Sequence, residues 1–581
     1  MTWVFVGVFN IRKELSMLND LYTLRGERLT GTPWTVYPRP QMKRDSYLNL
    51  NGQWEFTVLD SHPTEYDRKI TVPFCPESLL SGVKEHYDEG SYLWYRRSFA
   101  LPEGFNRGRV LLHIGAADQL LQCWVNGIHV GNHSGGYEAM TFDITSALQE
   151  ENTVVICTID DLRNQAFPYG KQVVPEKRGG MWYTPVSGIW QTVWVESVPE
   201  TYIEKLDLVN EGYSVTISTI PALEGKVIVP ELGEFALTNG SVTITPEDPK
   251  LWSPENPYLY DFVVEAGEDR VESYFAIRSL EIKKVGKYPR LCLNGKPYFF
   301  HGLLDQGYWP DGIFTPAAPE CYADDILAMK KLGFNMLRKH IKVEPEEFYY
   351  QCDKLGMIVF QDMVNNSDYN FLRDTALPTI GIQKLDDRNF HKNHESRREF
   401  LREAQTTVAQ LKNHPSICYW TIFNEAWGQF DSDAVYEKFM HFDNTRFVDS
   451  TSGWFRRTKT DVDSRHVYFR KVKLEGDGEK PLVLSEFGGK TYRAEGHLFN
   501  PDKAYGYGGC DTLEGLNEAV RKLYMEEVLP SVKRGLCGAI YTQVSDVEDE
   551  INGIVTYDRK LCKLQPEHML PVAEALMEAC K

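Results

Sequence analysis

A chain of 581 residues, 42% of them hydrophobic, is too long for one ordinary core, so several domains are expected. Its 63 Lys plus Arg against 82 Asp plus Glu give a net charge of -19, which argues against a nucleic-acid backbone or an anionic membrane as partner. The 11 cysteines include no Cys-x-x-Cys pair, so free thiols in a reducing, cytoplasmic setting are expected rather than a disulfide framework.

Residues 1–30 read as an N-terminal extension. The Trp3 to Phe9 run is too short to span a bilayer and its first charges, Arg12 and Lys13, follow it, so no secretory leader is expected, and a native start at Met17 is an alternative. Residues 31–200 show short alternating segments broken by turns, such as Tyr47 to Thr57, Ser91 to Phe99, Leu120 to His129 and Val154 to Ile159. That pattern predicts a β-sandwich of jelly-roll type, with Asn-Gly turns at 51–52 and 126–127. Aromatics in Arg178 to Trp182 and at Trp190 could stack on sugar rings, though for each of them core packing is the first expectation. Residues 201–283 predict a smaller, immunoglobulin-like β-sandwich with a scaffold role.

Over residues 284–581 the period changes and strands alternate with amphipathic helices. Strands are expected at Tyr298 to Leu304, Asn335 to Ile341, Met357 to Met363, Ile417 to Phe423, Arg446 to Ser452, His466 to Phe469, Pro481 to Ser485 and Gly538 to Thr542. Helices fall near Glu320 to Leu332, Pro345 to Leu355, Glu395 to Lys412, Ser432 to Phe442, Thr512 to Lys533 and Pro566 to Ala579. This alternation predicts a C-terminal (β/α)8 TIM barrel.

The fourth strand ends in Asn424-Glu425, which alone is compatible with a core strand closed by a polar loop. The seventh ends in Ser485-Glu486, and strand ends four and seven lie across one barrel mouth. Carboxylates there can approach to roughly 5 Å, the spacing of a retaining rather than an inverting glycosidase. Cleavage needs a proton donor for the leaving oxygen and an anion for the oxocarbenium-like carbon. Glu425 is assigned as acid/base and Glu486 as nucleophile.

Lys412-Asn-His-Pro-Ser416 leading through Trp420 to Asn424-Glu425 resembles the acid/base signature of glycoside hydrolase family 2, and Ser485-Glu-Phe-Gly488 is similar to its nucleophile motif. Leu50-Asn-Gly-Gln-Trp54, Tyr95-Arg-Arg97, Val125-Asn-Gly127 and Gly188-Ile-Trp190 extend the resemblance over the sandwich. It implies a retaining exo-β-glycosidase, a carbohydrate substrate and frequent self-association as a homo-oligomer. By the same resemblance Arg338 lies near the nucleophile and holds it ionised, and Asn424 bonds the hydroxyl beside the reacting carbon. Trp420 packs inside the barrel. His340, Asp362, His466 and Tyr468 lie near other strand ends, as hydroxyl binders or as satisfied structural groups.

Departures from the family pattern bear on specificity. Asn552-Gly-Ile554 lacks the lysine by which family glucuronidases hold a uronate carboxylate, and Tyr541 stands where many relatives have a tryptophan platform. His301-Gly-Leu-Leu-Asp305-Gln306 and Arg338-Lys-His340 differ from the metal-site and sugar-site patterns of large β-galactosidases, so no metal or other cofactor is expected. Within Asp546-Val-Glu-Asp-Glu550, Asp546 is a candidate for binding hydroxyls and the rest reads as a solvated loop. The leading expectation is a β-galactosidase-like enzyme for a terminal neutral sugar. The alternatives are another glycone (arabinose, galactofuranose, mannose or glucuronate) and a non-catalytic carbohydrate-binding protein.

Overall fold

The computed structural model describes residues 18–379, 382 and 385–581; the Trp3 to Phe9 run and the alternative start at Met17 lie outside them. What reads as an extension is fastened to the barrel from residue 18 onward. Thr23 caps the short helix Leu24–Glu27, and its amide and hydroxyl both donate to the buried Asp311 carboxylate, at 2.9 and 2.6 Å.

The first domain is a sandwich of a four-stranded and a six-stranded antiparallel sheet. Inward-facing Trp54, Phe56, Tyr95, Leu112, Val154 and Val195 fill its core. Asn126 and Gly127, both at positive φ, make the two-residue loop between Leu120–Val125 and Ile128–Ser134. The other Asn-Gly is a corner and not a hairpin. Tyr47–Asn49 belongs to the four-stranded sheet and Gly52–Val58 to the six-stranded one. Between them the buried Asn51 side chain accepts from Val193 N at 3.0 Å and donates to Trp34 O at 3.0 Å.

Next comes an immunoglobulin-like sandwich of three-stranded and four-stranded sheets, running from Lys205–Glu211 to Asp269–Phe275. A three-stranded antiparallel sheet, Leu280–Val285, Tyr288–Leu293 and Lys296–Pro297, then covers the N-terminal end of the barrel. Its Leu291 and Leu293 join the barrel's inner core, and Arg290 donates to Leu536 O and Val532 O, each at 2.9 Å.

The barrel has eight parallel strands: β1 Phe300–Asp305, β2 Met336–Lys339, β3 Ile358–Asp362, β4 Ile417–Asn424, β5 Phe447–Ser452, β6 Asp463–Val467, β7 Leu482–Gly488 and β8 Leu536–Thr542. Backbone pairing runs in the order β5-β4-β3-β2-β1-β8-β7-β6. The remaining seam is bridged by side chains, Ser452 Oγ lying 3.3 Å from Ser464 Oγ and 3.0 Å from His466 Nε2. The sixth strand begins three residues before the expected His466, because polar Asp463 is buried against Arg456 and Arg465. The helix expected over 512–533 is Leu513–Leu523, followed by a π turn at Tyr524–Val528 and a last turn, Leu529–Val532, that contains Pro530. Likewise Ser432–Phe439 stops short of Phe442. All 11 cysteines are unpaired and most are buried. Among the described residues no helix is long and apolar enough to cross a membrane.

Candidate active site

Every residue of β4 is buried. Tyr419 stacks on Phe360 inside the barrel, with ring centroids 4.1 Å apart. Trp420, expected inside as well, points outward to the helical layer and donates its indole N–H to Asp443 at 2.9 Å. Glu425 and Ala426 follow at φ 49 and 67. Two consecutive left-handed residues that are not glycine store roughly 1 kcal/mol or more each. Glu425 N is held there by Ser452 O at 2.9 Å. Glu486 was expected at the end of its strand but lies inside β7. One oxygen of each glutamate and one nitrogen of His466 all lie within 4.8 Å of one another.

Arg338, on β2 and 1% exposed, organises this pair from behind. Its guanidinium donates to Asp362 Oδ1 at 2.9 Å, Ser485 O at 3.0 Å, Glu486 Oε1 at 3.1 Å and Asn424 Oδ1 at 2.8 Å. Asn424 is thereby turned so that its Nδ2, buried, has no hydrogen-bond partner among the described residues. The second oxygen of Glu486 accepts from Tyr468 Oη at 2.8 Å, and Tyr468 also meets Thr542 Oγ1 at 2.8 Å. His466 stands between the glutamates, Nδ1 lying 2.8 Å from Glu425 Oε1 and 3.6 Å from Glu486 Oε2. Gly453 is required beside it, since a Cβ there would fall 2.7 Å from His466 Nδ1.

His340 Nδ1 lies 2.8 Å from Asp362 Oδ2. Burial pushes the His340 imidazole down to about 4, although Asp362 opposes this. The ring is therefore neutral near pH 7, and a proton on Nδ1 facing Asp362 leaves Nε2 as an acceptor. Burial pushes the Asp362 carboxyl up, but Arg338 and His340 outweigh it and hold the group below its usual range. Burial also drives the Tyr468 phenol well above its usual value, with Glu486 adding to the effect, so it stays a donor.

These groups face a pocket of about 280 Å³. Glu425, Glu486, His340, His466 and Tyr468 line it, while Arg338, Asn424 and Asp362 stand behind it. Two further sequence-based candidates, Tyr541 and Asp546, do not line it either. The Tyr541 ring packs over Gly488, beside Phe487 and Tyr524, because strand alternation turns Thr542 to the pocket instead. Asp546 is locked to buried Lys563 at 2.6 Å and accepts from Gly553 N at 2.8 Å.

The rest of the acidic loop is not solvated. Glu548 and Asp549 pair with Arg178 of the first sandwich, at 3.0 and 3.3 Å, and Glu550 accepts from Tyr183 Oη at 2.5 Å. A loop of that sandwich is thus clasped into the barrel mouth, bringing Lys171 and Met181 to the pocket wall. Trp182 of the same loop stacks on Trp427 at 5.1 Å, in the seam between domains. The lining also includes Trp454, Phe469, Tyr505, Tyr507 and Glu550, none of which the sequence reading singled out as lining a pocket. Of these, only the Tyr505-Gly-Tyr507 alternation carries a local signal, and Lys171 carries none.

Two sandwiches appended to a parallel barrel that joins glutamates from its fourth and seventh strands define a barrel protein of the glycosidase type. The chain belongs to glycosyl hydrolases family 2: the family's TIM barrel domain matches residues 284–565, its middle domain 200–278 and its sugar binding domain 82–199. Its relatives include a β-galactosidase of Thermoanaerobacter pseudethanolicus, 24% identical over 80% of this chain and 65% of that protein. A β-glucuronidase of Bacteroides fragilis is 23% identical over 67% of this chain and 58% of its own length. The chain therefore spans less than two thirds of these relatives' length. In fold it is similar to a β-D-glucuronidase of Dictyoglomus thermophilum, with TM-score 0.71, 19% identity and coverage of 94% of this chain and 98% of that one.

Proposed function

We propose that this protein is a retaining exo-β-glycosidase, β-galactosidase-like, that releases a terminal neutral sugar by double displacement. The observation that carries this reading is the approach of Glu425 and Glu486 to within 4.8 Å. Retaining enzymes hold their carboxyl groups roughly 5–5.5 Å apart, whereas inverting ones leave room for a water between them.

Glu486, fixed by Arg338 and Tyr468, attacks the anomeric carbon while Glu425 gives its proton to the departing glycosidic oxygen. The products of this half are a free alcohol and a glycosyl ester on Glu486. Glu425, now a carboxylate, takes a proton from water, which adds to the anomeric carbon and releases Glu486. In this reading Asn424, whose buried Nδ2 has no partner among the described residues, donates to the 2-hydroxyl, a contact that strengthens at the transition state. His340 Nε2 accepts from a further hydroxyl. A pocket of about 280 Å³ suits the end of a chain better than its middle. Unpaired cysteines support a reducing, cytoplasmic setting.

A second reading, a uronide as substrate, has support in the relatives named β-glucuronidase. Against it stands Asn552-Gly-Ile554, which offers no lysine. A panel of 4-nitrophenyl β-glycosides decides between the two, with NMR of the first-formed sugar. Fastest turnover on a neutral glycoside with a β-configured product is expected. An α-configured first product would overturn the mechanism, and sugar binding without turnover would make the protein a binding module.

A further inference from the structure

Lys171 reaches the catalytic pocket from a different domain, and its backbone is built for that placement. Tyr169 N donates to Asn365 O at 3.0 Å and Tyr169 Oη to Ser367 O at 2.6 Å, pinning the sandwich loop to the loop after β3. Gly170, at φ +67, passes so close to the barrel that a Cβ would fall 2.8 Å from Ile341 O. Lys171 is 6% exposed and lines the pocket with Glu425 and Glu486. Its ammonium rests 4.5 Å over the Trp427 ring, and no hydrogen bond or ion pair from a described residue engages it. A buried ammonium with three donors and no acceptor is costly unless a ligand supplies one.

Glu550 lines the same pocket at 2% exposure. Its oxygens accept from Tyr183 Oη at 2.5 Å and Asn552 Nδ2 at 2.9 Å, both neutral donors. A carboxylate offers about four lone-pair sites, so acceptor capacity remains. We propose that Lys171 and Glu550 act together as a donor and acceptor for hydroxyls of the terminal sugar and select neutral glycones. This rests on the glycosidase reading and deepens it.

Charge decides for hydroxyls over a sugar carboxylate. Arg338 is already committed to Glu486 and Asp362, and Arg470 is exposed at the pocket's edge. Lys171 is then the one buried, uncommitted cation among the described lining residues, facing Glu425, Glu486 and Glu550. A uronate would add another negative charge to a wall already rich in them, whereas a hydroxyl can accept from the ammonium and donate to the carboxylate at no net charge.

The test compares wild type, Lys171→Met and Glu550→Gln on the preferred neutral 4-nitrophenyl glycoside, its 3-, 4- and 6-deoxy analogues and the matching uronide. Methionine keeps an unbranched stem over Trp427, and melting temperature monitors the fold. Each variant is expected to lose about 10- to 100-fold in kcat/KM on the parent glycoside, and far less on the deoxy analogue that lacks the hydroxyl it reads. Equal losses on every analogue, or none, would overturn the pairing while leaving the glycosidase reading intact. A wild-type preference for the uronide that Lys171→Met abolishes would also overturn it, since the cation would then read a carboxylate. A wild type inert on all glycosides would remove both readings.

Discussion

Replacing Arg338 by lysine keeps the charge and removes the fork. The guanidinium holds four acceptors lying in different directions: Asp362, the Ser485 carbonyl, Glu486 and Asn424. A lysine ammonium is a point with three donors on a flexible stem. It can stay near Glu486 or near Asp362, but it cannot hold Asn424 in place while serving both. Two of the four contacts are thus lost, of which at least one is to a charged partner. Hydrogen bonds to charged groups contribute roughly 1.5–3 kcal/mol and neutral ones about 1 kcal/mol, so the change costs about 3 kcal/mol. That cost is divided between folding and the transition state. If half of it falls on catalysis, kcat drops about tenfold, since 1.36 kcal/mol is a decade in rate. The measurement is kcat and kcat/KM on the best aryl glycoside, with melting temperature in parallel. A variant within about twofold of wild type in kcat, with unchanged melting, would refute the claim that the fork aligns Glu486 and Asn424.

Glu486→Ala and Glu425→Ala should each reduce turnover by several orders of magnitude, and added azide separates their roles. In Glu425→Ala it should attack the glycosyl ester and yield a β-glycosyl azide, while in Glu486→Ala it should take the nucleophile's place and yield the α anomer; the reverse pairing would exchange the two assignments. Tyr468→Phe removes the hydroxyl that joins Glu486 to Thr542 and should lower kcat about 10- to 100-fold, with no change meaning that Arg338 alone orients the nucleophile. His301, 2% exposed, is pushed down to about 4 by burial. The unfolded chain takes up this proton below about pH 6.5 and the folded chain does not until about pH 4, so wild type loses stability as pH falls through that window. Against His301→Gln the wild-type advantage should shrink by about 2 kcal/mol between pH 7.5 and 5 in denaturant titrations, and a constant gap would contradict the assignment.

Much of the barrel was legible because its strands are apolar runs of four to eight residues set between amphipathic helices, as in Ile417–Asn424 and Leu536–Thr542. β6 was displaced because Asp463-Ser-Arg reads as loop, and only tertiary pairing with Arg456 makes Asp463 buriable. The long helix over 512–533 hid its break because Pro530 sits near its end, and periodicity alone does not register a π turn. The two glutamates and the Arg338 to Asp362 framework could be named because each is a charged residue that interrupts an apolar strand run at or near its end. Specificity groups could not. Tyr541 and Thr542 differ by one place in β8, and a one-residue error in facing exchanges wall for core. The acidic run at 546–550 looked solvated because charge next to charge usually is. Its real partners, Arg178 and Tyr183, lie in another domain, far away in sequence.

The Asn413-His-Pro-Ser416 opening has a similar explanation. Asn413 exchanges hydrogen bonds with Leu206 and Leu208 of the immunoglobulin-like domain, and Asp353 gathers His414, Ser416 N and Tyr274 at 2.7 to 2.8 Å. The opening residues of the signature are therefore joints between domains, and only its end, Asn424-Glu425, reaches the pocket region.

The clasp of Arg178 and Tyr183 on the acidic loop ties the wall of the pocket to the seating of a neighbour. Its ion pairs and aromatic stacking are backed by apolar packing, since Tyr183, Val186 and Trp190 of the sandwich share one buried cluster with Phe299, Leu303 and Tyr308 of the barrel. Heating should therefore release the loop, and Lys171 with it, only as this shared core opens. Inactivation and melting are then expected at one temperature, and an interval between them would measure how far the domains part while the barrel still stands.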